Sequence, residues 1–374
     1  MSHLGQLTYI GIAFLVSWVV TFCSMPLLLK LCKIRGLYDI PDERKVHHTN
    51  NIPRLGGVMF VPSTLIGGVA AIAVLYSRNA TEMTTFSLPT ILVLIGMFML
   101  YLIGILDDLF GMKASVKFGI QLVVSMLLPC CGLYIDNLHG FLGLYEVPIW
   151  VGYGLTVFIS LLIVNAVNLI DGIDGLASSL SVLALLGFCI FFFILKIKLT
   201  TIYCAALGGS VLAFMFYNLF GSVKRGTKTF MGDTGSLTLG YALAFLAIRF
   251  AMLPEPMGKS YPFNPPYTAI LLSLTLVAVP CFDLIRVALV RLFNGLPIFH
   301  PDKRHIHHKC LRAGFSMHAS LVLIICLQLA LAAINYVLIK TSIVGLFIPI
   351  VDIVLYAVFI LWLDYRIKHT QVSA

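Results

Sequence analysis

The stretch FISLLIVNAVNLIDGIDGLA, residues 158–177, joins an apolar run to a closely spaced set of polar side chains. FISLLIV is apolar enough to lie in lipid, and two asparagines and two aspartates follow it at three-residue intervals: Asn165, Asn168, Asp171 and Asp174. Residues three apart share one face of a helix, and the glycine after each aspartate loosens the backbone. The stretch predicts a membrane helix that ends in a cluster of polar side chains. A plain helix end with Asx caps and a turn is the alternative that these residues leave open.

The composition of the whole chain supports a membrane location. Of the 374 residues, 60% are hydrophobic and 11% are charged, and the mean hydropathy is +0.99. A soluble globular protein carries about 25% charged residues. Apolar stretches of about 20 residues, long enough to cross the hydrocarbon layer as helix, recur along the whole length. We therefore expect an all-α integral membrane protein with one polytopic domain over residues 1–374.

Eleven transmembrane helices are predicted from these apolar stretches. They cover residues 7–29, 56–76, 86–106, 118–135, 147–167, 176–195, 199–219, 235–253, 267–290, 318–339 and 343–363. The first lacks a basic segment before it and a small-residue cleavage pattern after it, so we expect an anchor and not a signal peptide. The nine cysteines lie mostly inside these stretches and form no CxxC pair, which favours small hydrophobic roles.

Lysine and arginine are distributed unequally between the two sides of this arrangement. About three quarters of the 25 basic residues lie after odd-numbered helices or in the C-terminal segment, a side that the positive-inside rule makes cytoplasmic. The N-terminus is then expected outside and the C-terminus inside. The net charge of +9 suits an anionic membrane surface and anionic ligands, and it does not call for nucleic acid.

Five motif-like polar segments collect on the predicted cytoplasmic side. They are DIPDERKVHHTNNIPRLGG (39–57), LIGILDDLFGMKASVKF (102–118), the opening stretch, KRGTKTFMGDTGS (224–236) and HPDKRHIHHKCLRAGFS (300–316). A transporter or channel would instead place ionisable residues along a path across the bilayer. The asymmetry favours a site at one membrane surface, although polar groups at helix ends also form gates and leave a transporter as an alternative.

Two acids fall clearly inside predicted transmembrane helices. Asp283 has Arg286 three residues later, which predicts a structural ion pair. Asp352 has no partner that the sequence reveals.

Aspartates dominate the five segments, and they would repel one another unless cations share the site. Five of them are candidates for such a cluster: Asp107, Asp108, Asp171, Asp174 and Asp233. Carboxylate oxygens and an asparagine carbonyl suit Mg²⁺ or Mn²⁺, which keep several waters and bind substrate phosphates. Glycines around Asp233 would admit a phosphate, and lysine, arginine and protonatable histidine would add positive charge. Together these features predict a site for a nucleotide diphosphate.

The His-Ile-His-His segment has a zinc site as its alternative interpretation, with Cys310 as a further ligand. Helical two-histidine zinc sites place the histidines four residues apart with an acid nearby, and no carboxylate lies inside this segment. We favour a phosphate-contacting loop.

In their order along the chain, DDLFGMKASVK, NAVNLIDGIDGLA, FMGDTGS and PDKRHIHHKCLRAGFS resemble the motifs of bacterial polyprenyl-phosphate N-acetylhexosamine-1-phosphate transferases. The resemblance covers nearly the whole chain. It is closer to the branch that transfers GlcNAc-1-phosphate than to phospho-N-acetylmuramoyl-pentapeptide transferase, which typically has three consecutive histidines where this chain has His-Ile-His-His.

The resemblance implies transfer of a sugar-1-phosphate from a UDP-N-acetylhexosamine to undecaprenyl phosphate, with release of UMP. The expected location is the cytoplasmic face of a bacterial inner membrane, at the first membrane step of a cell-surface glycan such as lipopolysaccharide or teichoic acid. Which N-acetylhexosamine is transferred and whether the chain forms a homodimer stay open, as does a non-catalytic scaffold.

The resemblance also implies roles for single residues. Asp107 and Asp108 correspond to catalytic carboxylates, with Lys117 beside them, and Asn168 and Asp233 correspond to ligands of Mg²⁺ or Mn²⁺. Substrate-binding positions are Lys45, Arg54, Asn165, Asp171, Asp174, Phe230, Arg304, His305, His307 and His308, with Phe230 stacking on uracil. A phosphate monoester is already largely dianionic at neutral pH, so positioning Lys117 or the metal is as good a role for Asp107 as general base.

One segment departs from the family pattern. Between Asn218 and FMGD the family usually has a short link that contains proline, whereas this chain has LFGSVKRGTKT (219–229) with three basic residues. The departure puts a nucleotide-binding role for Asn218 in doubt and leaves open a contact of this insertion with lipid headgroups.

The predicted topology can be tested by labelling single cysteines in a cysteine-free background with a membrane-impermeant reagent. Lys45→Cys, Lys113→Cys, Lys228→Cys and Arg304→Cys should resist labelling from outside, because the positive-inside rule makes these segments cytoplasmic. Lys259→Cys, in a predicted outer loop, is the matched positive control. Labelling of two of the four positions would contradict the shared cytoplasmic side.

Overall fold

The computed structural model describes residues 3–38, 52–78, 88–253, 267–297, 303–341, 345 and 347–372, and within these ranges the chain is helical with no β-strand. The helices are α1 His3–Arg35, α2 Phe60–Arg78, α3 Leu88–Phe110, α4 Ala114–Cys130, α5 Ile149–Ile170, α6 Leu176–Ile194, α7 Lys198–Phe220, α8 Gly232–Ala251, α9 Thr268–Leu276, α10 Ala278–Phe293, α11 Ile306–Arg312, α12 Met317–Lys340 and α13 Phe347–Val372. Short 3₁₀ turns lie at Gly56–Met59 and Phe141–Gly143.

Nine helices of the described part are long and apolar enough to cross a membrane, namely α1, α2, α3, α5, α6, α7, α8, α12 and α13. The fourth predicted crossing corresponds to α4, which is apolar but has only 17 residues. The ninth corresponds to α9 and α10, which are bent by 74° where they meet. The all-helical membrane architecture is thus confirmed, while the eleven expected crossings resolve into nine long helices, one bent pair and one short helix.

Helix α8 is the centre of the bundle. Nearly all of its residues are buried, and it packs against α3, α5, α6 and α9. Small residues allow this approach: a Cβ at Gly240 would lie 2.8 Å from the Cα of Val164 in α5. Membrane helices associate through close packing because lipid offers no hydrophobic driving force between them. Asp233, in the first turn of α8, is therefore held within the protein.

Two glycine contacts fix where α8 begins. A Cβ at Gly57, in the first 3₁₀ turn, would lie 2.2 Å from the Cα of Gly235. A Cβ at Gly104, in α3, would lie 2.3 Å from the Cα of Thr234. These contacts bring three elements to one point, and the two aspartates of α3 follow Gly104 within about one helical turn.

The bend between α9 and α10 frees backbone groups that α12 satisfies. Gln328 Nε2 donates to the Thr275 carbonyl at 2.7 Å, and its Oε1 accepts from the Val279 amide at 3.2 Å. Asn335 donates to the Thr275 hydroxyl at 2.7 Å and to Asp352 Oδ2 at 2.9 Å. Asp352 thus has a partner on another helix. Because unpaired backbone groups are costly in lipid, this buried network stabilises the bend.

Replacing Gly104 by alanine should destabilise the protein, since the new Cβ would meet the Thr234 backbone at 2.3 Å. Overpacking of this kind costs ~1–3 kcal/mol. Thermal unfolding in detergent should give a lower midpoint for Gly104→Ala but not for Gly154→Ala, where a Cβ on α5 would meet nothing within 4 Å. Equal midpoints would contradict the close packing of α3 on α8.

Candidate active site

Three aspartates form a carboxylate cluster at one end of the bundle. Asp107 and Asp108 lie near the end of α3, and Asp233 lies at the start of α8. Lys117 Nζ, in the first turns of α4, is 2.8 Å from Asp107 Oδ2 and 3.0 Å from Asp233 Oδ1. One lysine therefore bridges two of the three carboxylates. These groups are largely buried, so solvent ions screen their interaction weakly.

Asp108 is bonded to the beginning of α8. Its Oδ1 accepts from the Asp233 amide at 2.8 Å, and its Oδ2 accepts from the amide and the hydroxyl of Thr234 at 2.9 and 2.7 Å. The first amides of a helix lack partners within the helix, and a carboxylate also suits the helix dipole there. Gly232 has φ of +75°, and a Cβ on it would lie 2.5 Å from Asp108 Oδ2. Both oxygens of Asp108 are thus used to join α3 to α8, whereas Asp107 faces Lys117.

Asn168 and Arg54 complete the surroundings of Asp233. Asn168 Nδ2 donates to Asp233 Oδ1 at 2.6 Å and to Ser236 Oγ at 2.8 Å. The Arg54 guanidinium lies 3.5 Å from Asp233 Oδ2 and 3.8 Å from Asp108 Oδ1. The structure therefore brings together six of the predicted site residues, from four segments of the chain: Arg54, Asp107, Asp108, Lys117, Asn168 and Asp233.

Among the described residues, the three carboxylates of the cluster face two cations, Lys117 and Arg54, which leaves one negative charge in excess. No group of three or more His, Cys, Asp and Glu side chains is arranged to hold a metal ion within the described residues. Mg²⁺ is commonly held by only one or two carboxylates and takes its other ligands from water and substrate phosphates. The Asp233 carboxylate and the Asn168 carbonyl fit that kind of site.

Backbone hydrogen bonds hold the first polar segment against the fourth. The Pro53 carbonyl accepts from the Phe230 amide at 2.8 Å and from the Thr229 hydroxyl at 3.1 Å. The Gly56 amide donates to the Phe230 carbonyl at 3.0 Å. The half-buried Phe230 is therefore fixed near the cluster, three residues before Asp233. Lys45 lies outside the described residues.

Asp174 is buried among residues that include part of the insertion. Lys228 Nζ lies 2.6 Å from Asp174 Oδ2. Asn218 Nδ2 lies 3.4 Å from Asp174 Oδ1 and donates to the Thr229 carbonyl at 2.9 Å, while its Oδ1 accepts from the Gly175 amide at 2.6 Å. Asn218 thus ties the end of α7 to two loops. Sequence analysis assigned no site role to Lys228, because only the fold brings it close to Asp174.

Asp283 holds the histidine segment. Its Oδ2 lies 2.8 Å from His305 Nδ1, and its Oδ1 accepts from the Ile306 amide at 3.0 Å. Arg286 pairs with the same carboxylate at 2.7 Å, which confirms the predicted ion pair, and also donates to the Arg304 carbonyl at 2.7 Å. The sequence did not reveal the link from Asp283 to His305, because the spacing to Arg286 already accounted for the charge.

His307 docks the histidine segment onto the opening stretch. Its side chain is buried, and a Cβ at Gly172 would lie 2.0 Å from its Nε2, so the glycine after Asp171 makes room for the ring. Burial, with the neighbouring His308, lowers the pKa of His307 to about 3. Burial also lowers the pKa of His308 to about 4. These pKa values favour neutral rings for His307 and His308 at pH 7, and a contact of this segment with phosphate stays a prediction.

Asn165 makes a different contact from Asn168. Its Nδ2 donates to Gln121 Oε1 in α4 at 2.8 Å and to the Leu161 carbonyl at 2.8 Å. Such interhelical hydrogen bonds stabilise membrane helix pairs by about 0.6–2 kcal/mol. The amide nitrogen of Asn165 is therefore used in packing α5 on α4. Asp171 lies at the C-terminal end of α5 and is half-buried.

Comparison with known proteins gives one family match and several similar chains. Residues 90–251 match the model of Glycosyl transferase family 4. The chain is 32% identical over 360 residues to a probable undecaprenyl-phosphate N-acetylglucosaminyl 1-phosphate transferase of Bacillus subtilis, covering 92% of this chain and 89% of the relative. It is 29% identical over 339 residues to an undecaprenyl-phosphate alpha-N-acetylglucosaminyl 1-phosphate transferase of Yersinia pestis, covering 90% and 85%. The Escherichia coli K12 protein of that description is 30% identical over 311 residues, covering 82% and 77%.

The burial of His307 predicts a pH dependence of stability. Its ordinary pKa is 6.5 and its pKa in the folded protein is about 3, so the unfolded chain takes up the proton first as the pH falls. The contribution of neutral His307 is complete above pH 6.5 and is lost between 6.5 and about 3. The free energy of unfolding should therefore fall less between pH 7.5 and 5 in His307→Gln than in the wild type.

Denaturant unfolding in detergent at the two pH values measures this difference. His318→Gln, at an exposed position at the start of α12, is the matched control and should keep the wild-type dependence. An unchanged pH dependence in His307→Gln would show that His307 is not buried as a neutral ring.

Proposed function

The chain belongs to the family of undecaprenyl-phosphate N-acetylglucosaminyl 1-phosphate transferases, and from that membership we propose that it transfers GlcNAc-1-phosphate from UDP-GlcNAc to undecaprenyl phosphate and releases UMP. None of the relatives named above is a transporter, so the transport alternative has no support. We place the reaction at the cytoplasmic face of a bacterial inner membrane, where it would begin a cell-surface glycan.

The observation that carries this proposal is the carboxylate cluster with its two cations at the end of the helical bundle. One substrate is a water-soluble anion and the other is an anion anchored in lipid, so the reaction requires a polar site where membrane helices end. Asp107 and Asp108 lie near the end of α3, an apolar helix long enough to span the bilayer. Lys117 and Arg54 supply the positive charge that two phosphate-bearing substrates need.

The nucleotide sugar is expected on the side of Phe230 and Asp174. Backbone bonds to Pro53 and Gly56 fix the position of Phe230, which suits an aromatic ring that stacks on uracil. Lys228 pairs with Asp174, and uridine binding would exchange this ion pair for hydrogen bonds to the base. The diphosphate then extends toward Arg54 and Lys117.

The reaction forms one P–O bond and breaks another. An oxygen of undecaprenyl phosphate attacks the phosphorus that carries the sugar, and the bond from that phosphorus to the oxygen of UMP breaks, so that UMP leaves with the electron pair. The attacking phosphate is already largely dianionic at pH 7, because its second pKa is near 6. Asp107 is therefore assigned to holding Lys117, and Lys117 and Arg54 stabilise charge on the transferred phosphoryl group.

Mg²⁺, with Mn²⁺ as the alternative, is proposed as the cofactor. Asp233 would be its main ligand with the Asn168 carbonyl, and the ion would neutralise charge on the diphosphate when bound. A neutral carbonyl there adds nothing to the repulsion among the aspartates.

The proposal is tested with purified full-length protein, undecaprenyl phosphate, Mg²⁺ and either UDP-GlcNAc or UDP-GalNAc. UMP release and a lipid-linked diphosphate sugar should appear with UDP-GlcNAc and should require undecaprenyl phosphate. Product formation with UDP-GalNAc alone would overturn the choice of sugar, and no UMP with either donor would overturn the activity.

In the same assay, Asp233→Asn should lower turnover by at least about a hundredfold, because ~3 kcal/mol of transition-state stabilisation is lost with the carboxylate charge. The matched control is Asp136→Asn, an exposed aspartate beyond the far end of α4, which should keep normal turnover. Asn168→Asp should be milder and shift the Mg²⁺ concentration that is needed. Near-normal turnover of Asp233→Asn at low Mg²⁺ would place the metal elsewhere, with Asp107 and Asp108 as its next candidates.

A further inference from the structure

A cavity lies beside the end of α1, and its lining includes none of the three aspartates of the carboxylate cluster. It has a volume of about 430 Å³, within the range of small-molecule sites. Its basic side chains come from two parts of the chain, the last turns of α1 and the insertion, and Ile52, Pro53 and Tyr217 complete the lining. Its lining includes Lys30 and Lys33 from α1 and Lys224, Arg225 and Lys228 from the insertion.

The described part of the cavity lining is cationic. It contains five basic side chains and no carboxylate among the described residues. Lys228 is neutralised by Asp174. No carboxylate of the described ranges forms an ion pair with any of the other four. Like charges gathered around one space repel one another, and an anion in that space would relieve the repulsion.

The helix dipole explains only part of this charge. Basic residues near the C-terminal end of a helix are favourable, which accounts for Lys33 at the end of α1. It does not account for Lys224 and Arg225, which come from a different part of the chain and line the same cavity. The lining shares Lys228, the partner of Asp174, with the proposed nucleotide-sugar side, but it includes none of the charged residues around Asp233.

The position of the cavity relates it to the membrane surface. The apolar span of α1 ends at Arg35, so Lys30 and Lys33 lie where the helix leaves the hydrocarbon layer. Leu27, Leu31 and Ile34 are exposed beside them, as expected of side chains that face lipid. The lining also has apolar members, among them Pro26 and Leu29. A ligand with an anionic head and an apolar continuation fits this combination.

We propose that this cavity binds the phosphate of an anionic phospholipid headgroup from the leaflet on the side of the carboxylate cluster. Clusters of lysine and arginine next to a membrane helix attract anionic lipids, and phosphate oxygens accept hydrogen bonds from several cations at once. Inorganic phosphate shares this chemistry and is the source that the experiment must separate from lipid. The inference depends on the membrane location alone and not on the transferase activity.

Native mass spectrometry of the delipidated full-length protein in neutral detergent tests the proposal. The protein is titrated separately with phosphatidylglycerol, phosphatidylcholine and inorganic phosphate. The double variants Lys30→Gln/Lys33→Gln and Lys224→Gln/Arg225→Gln remove charge from the two walls independently, so that a folding defect in one leaves the other informative. Arg366→Gln/Lys368→Gln, in exposed positions near the end of α13, removes the same charge away from the cavity.

The wild type should bind one phosphatidylglycerol more tightly than phosphatidylcholine. Each cavity variant should weaken that binding by about tenfold or more, and the α13 control should not. Equal binding of the two lipids, or equal phosphatidylglycerol binding by wild type and both cavity variants, would overturn the proposal. Binding of inorganic phosphate that requires the same four cations, without preference for the lipid, would also overturn it and assign the cavity to a free anion.

Discussion

The rest of the structure depends on how the first amides of α8 are satisfied. A helix buried at the centre of a membrane protein cannot leave its terminal amides to lipid, and water reaches this end poorly. Asp108 supplies the acceptors from α3, at 2.8 and 2.9 Å from the amides of Asp233 and Thr234. The same bonds that complete α8 therefore set Asp233 beside Asp107, within reach of one lysine.

This arrangement concentrates negative charge, and basic residues from other segments offset it. Lys117 approaches from α4 and Arg54 from the first polar segment, so the site is complete only when several distant parts of the chain have assembled. The histidine segment is joined to the same end of the bundle differently, through the anchor from Asp283 to His305 and the fit of His307 against Gly172. Ion pairs thus join the segments of the carboxylate cluster, and a hydrogen bond together with close packing joins the histidine segment to the same end of the bundle.

Apolar length was enough to predict the membrane helices, and polar clustering predicted that Asp107, Asp108 and Asp233 would meet. The site roles of Lys117 and Asn168 came from the family resemblance, and Asp174, predicted in the same cluster, pairs with Lys228. Sequence patterns indicate helical periodicity and the side of the membrane on which a segment lies, and neither depends on the details of packing. They do not indicate which neighbouring residue a side chain forms a hydrogen bond with. The hydrogen bond from Asn165 to Gln121 could therefore not be predicted, nor could the hydrogen bond from Asn335 to Asp352, and a substrate contact of Asn165 stays a prediction. The burial of His307 could not be predicted either, because burial depends on the whole fold and not on the local segment. The crossing count differed where a helix is short, as in α4, or bent, as between α9 and α10.

The bend between α9 and α10 has a consequence for the evolution of the site. Gln328 in α12 bonds one carbonyl and one amide on either side of the break between α9 and α10. The angle of α10 therefore depends on this side chain. Helix α10 carries Asp283, and Asp283 carries the histidine segment. Evolutionary change at position 328 would therefore shift α10 and, through Asp283, the position of His305, so a glutamine on α12 shares in the constraint on the histidine segment.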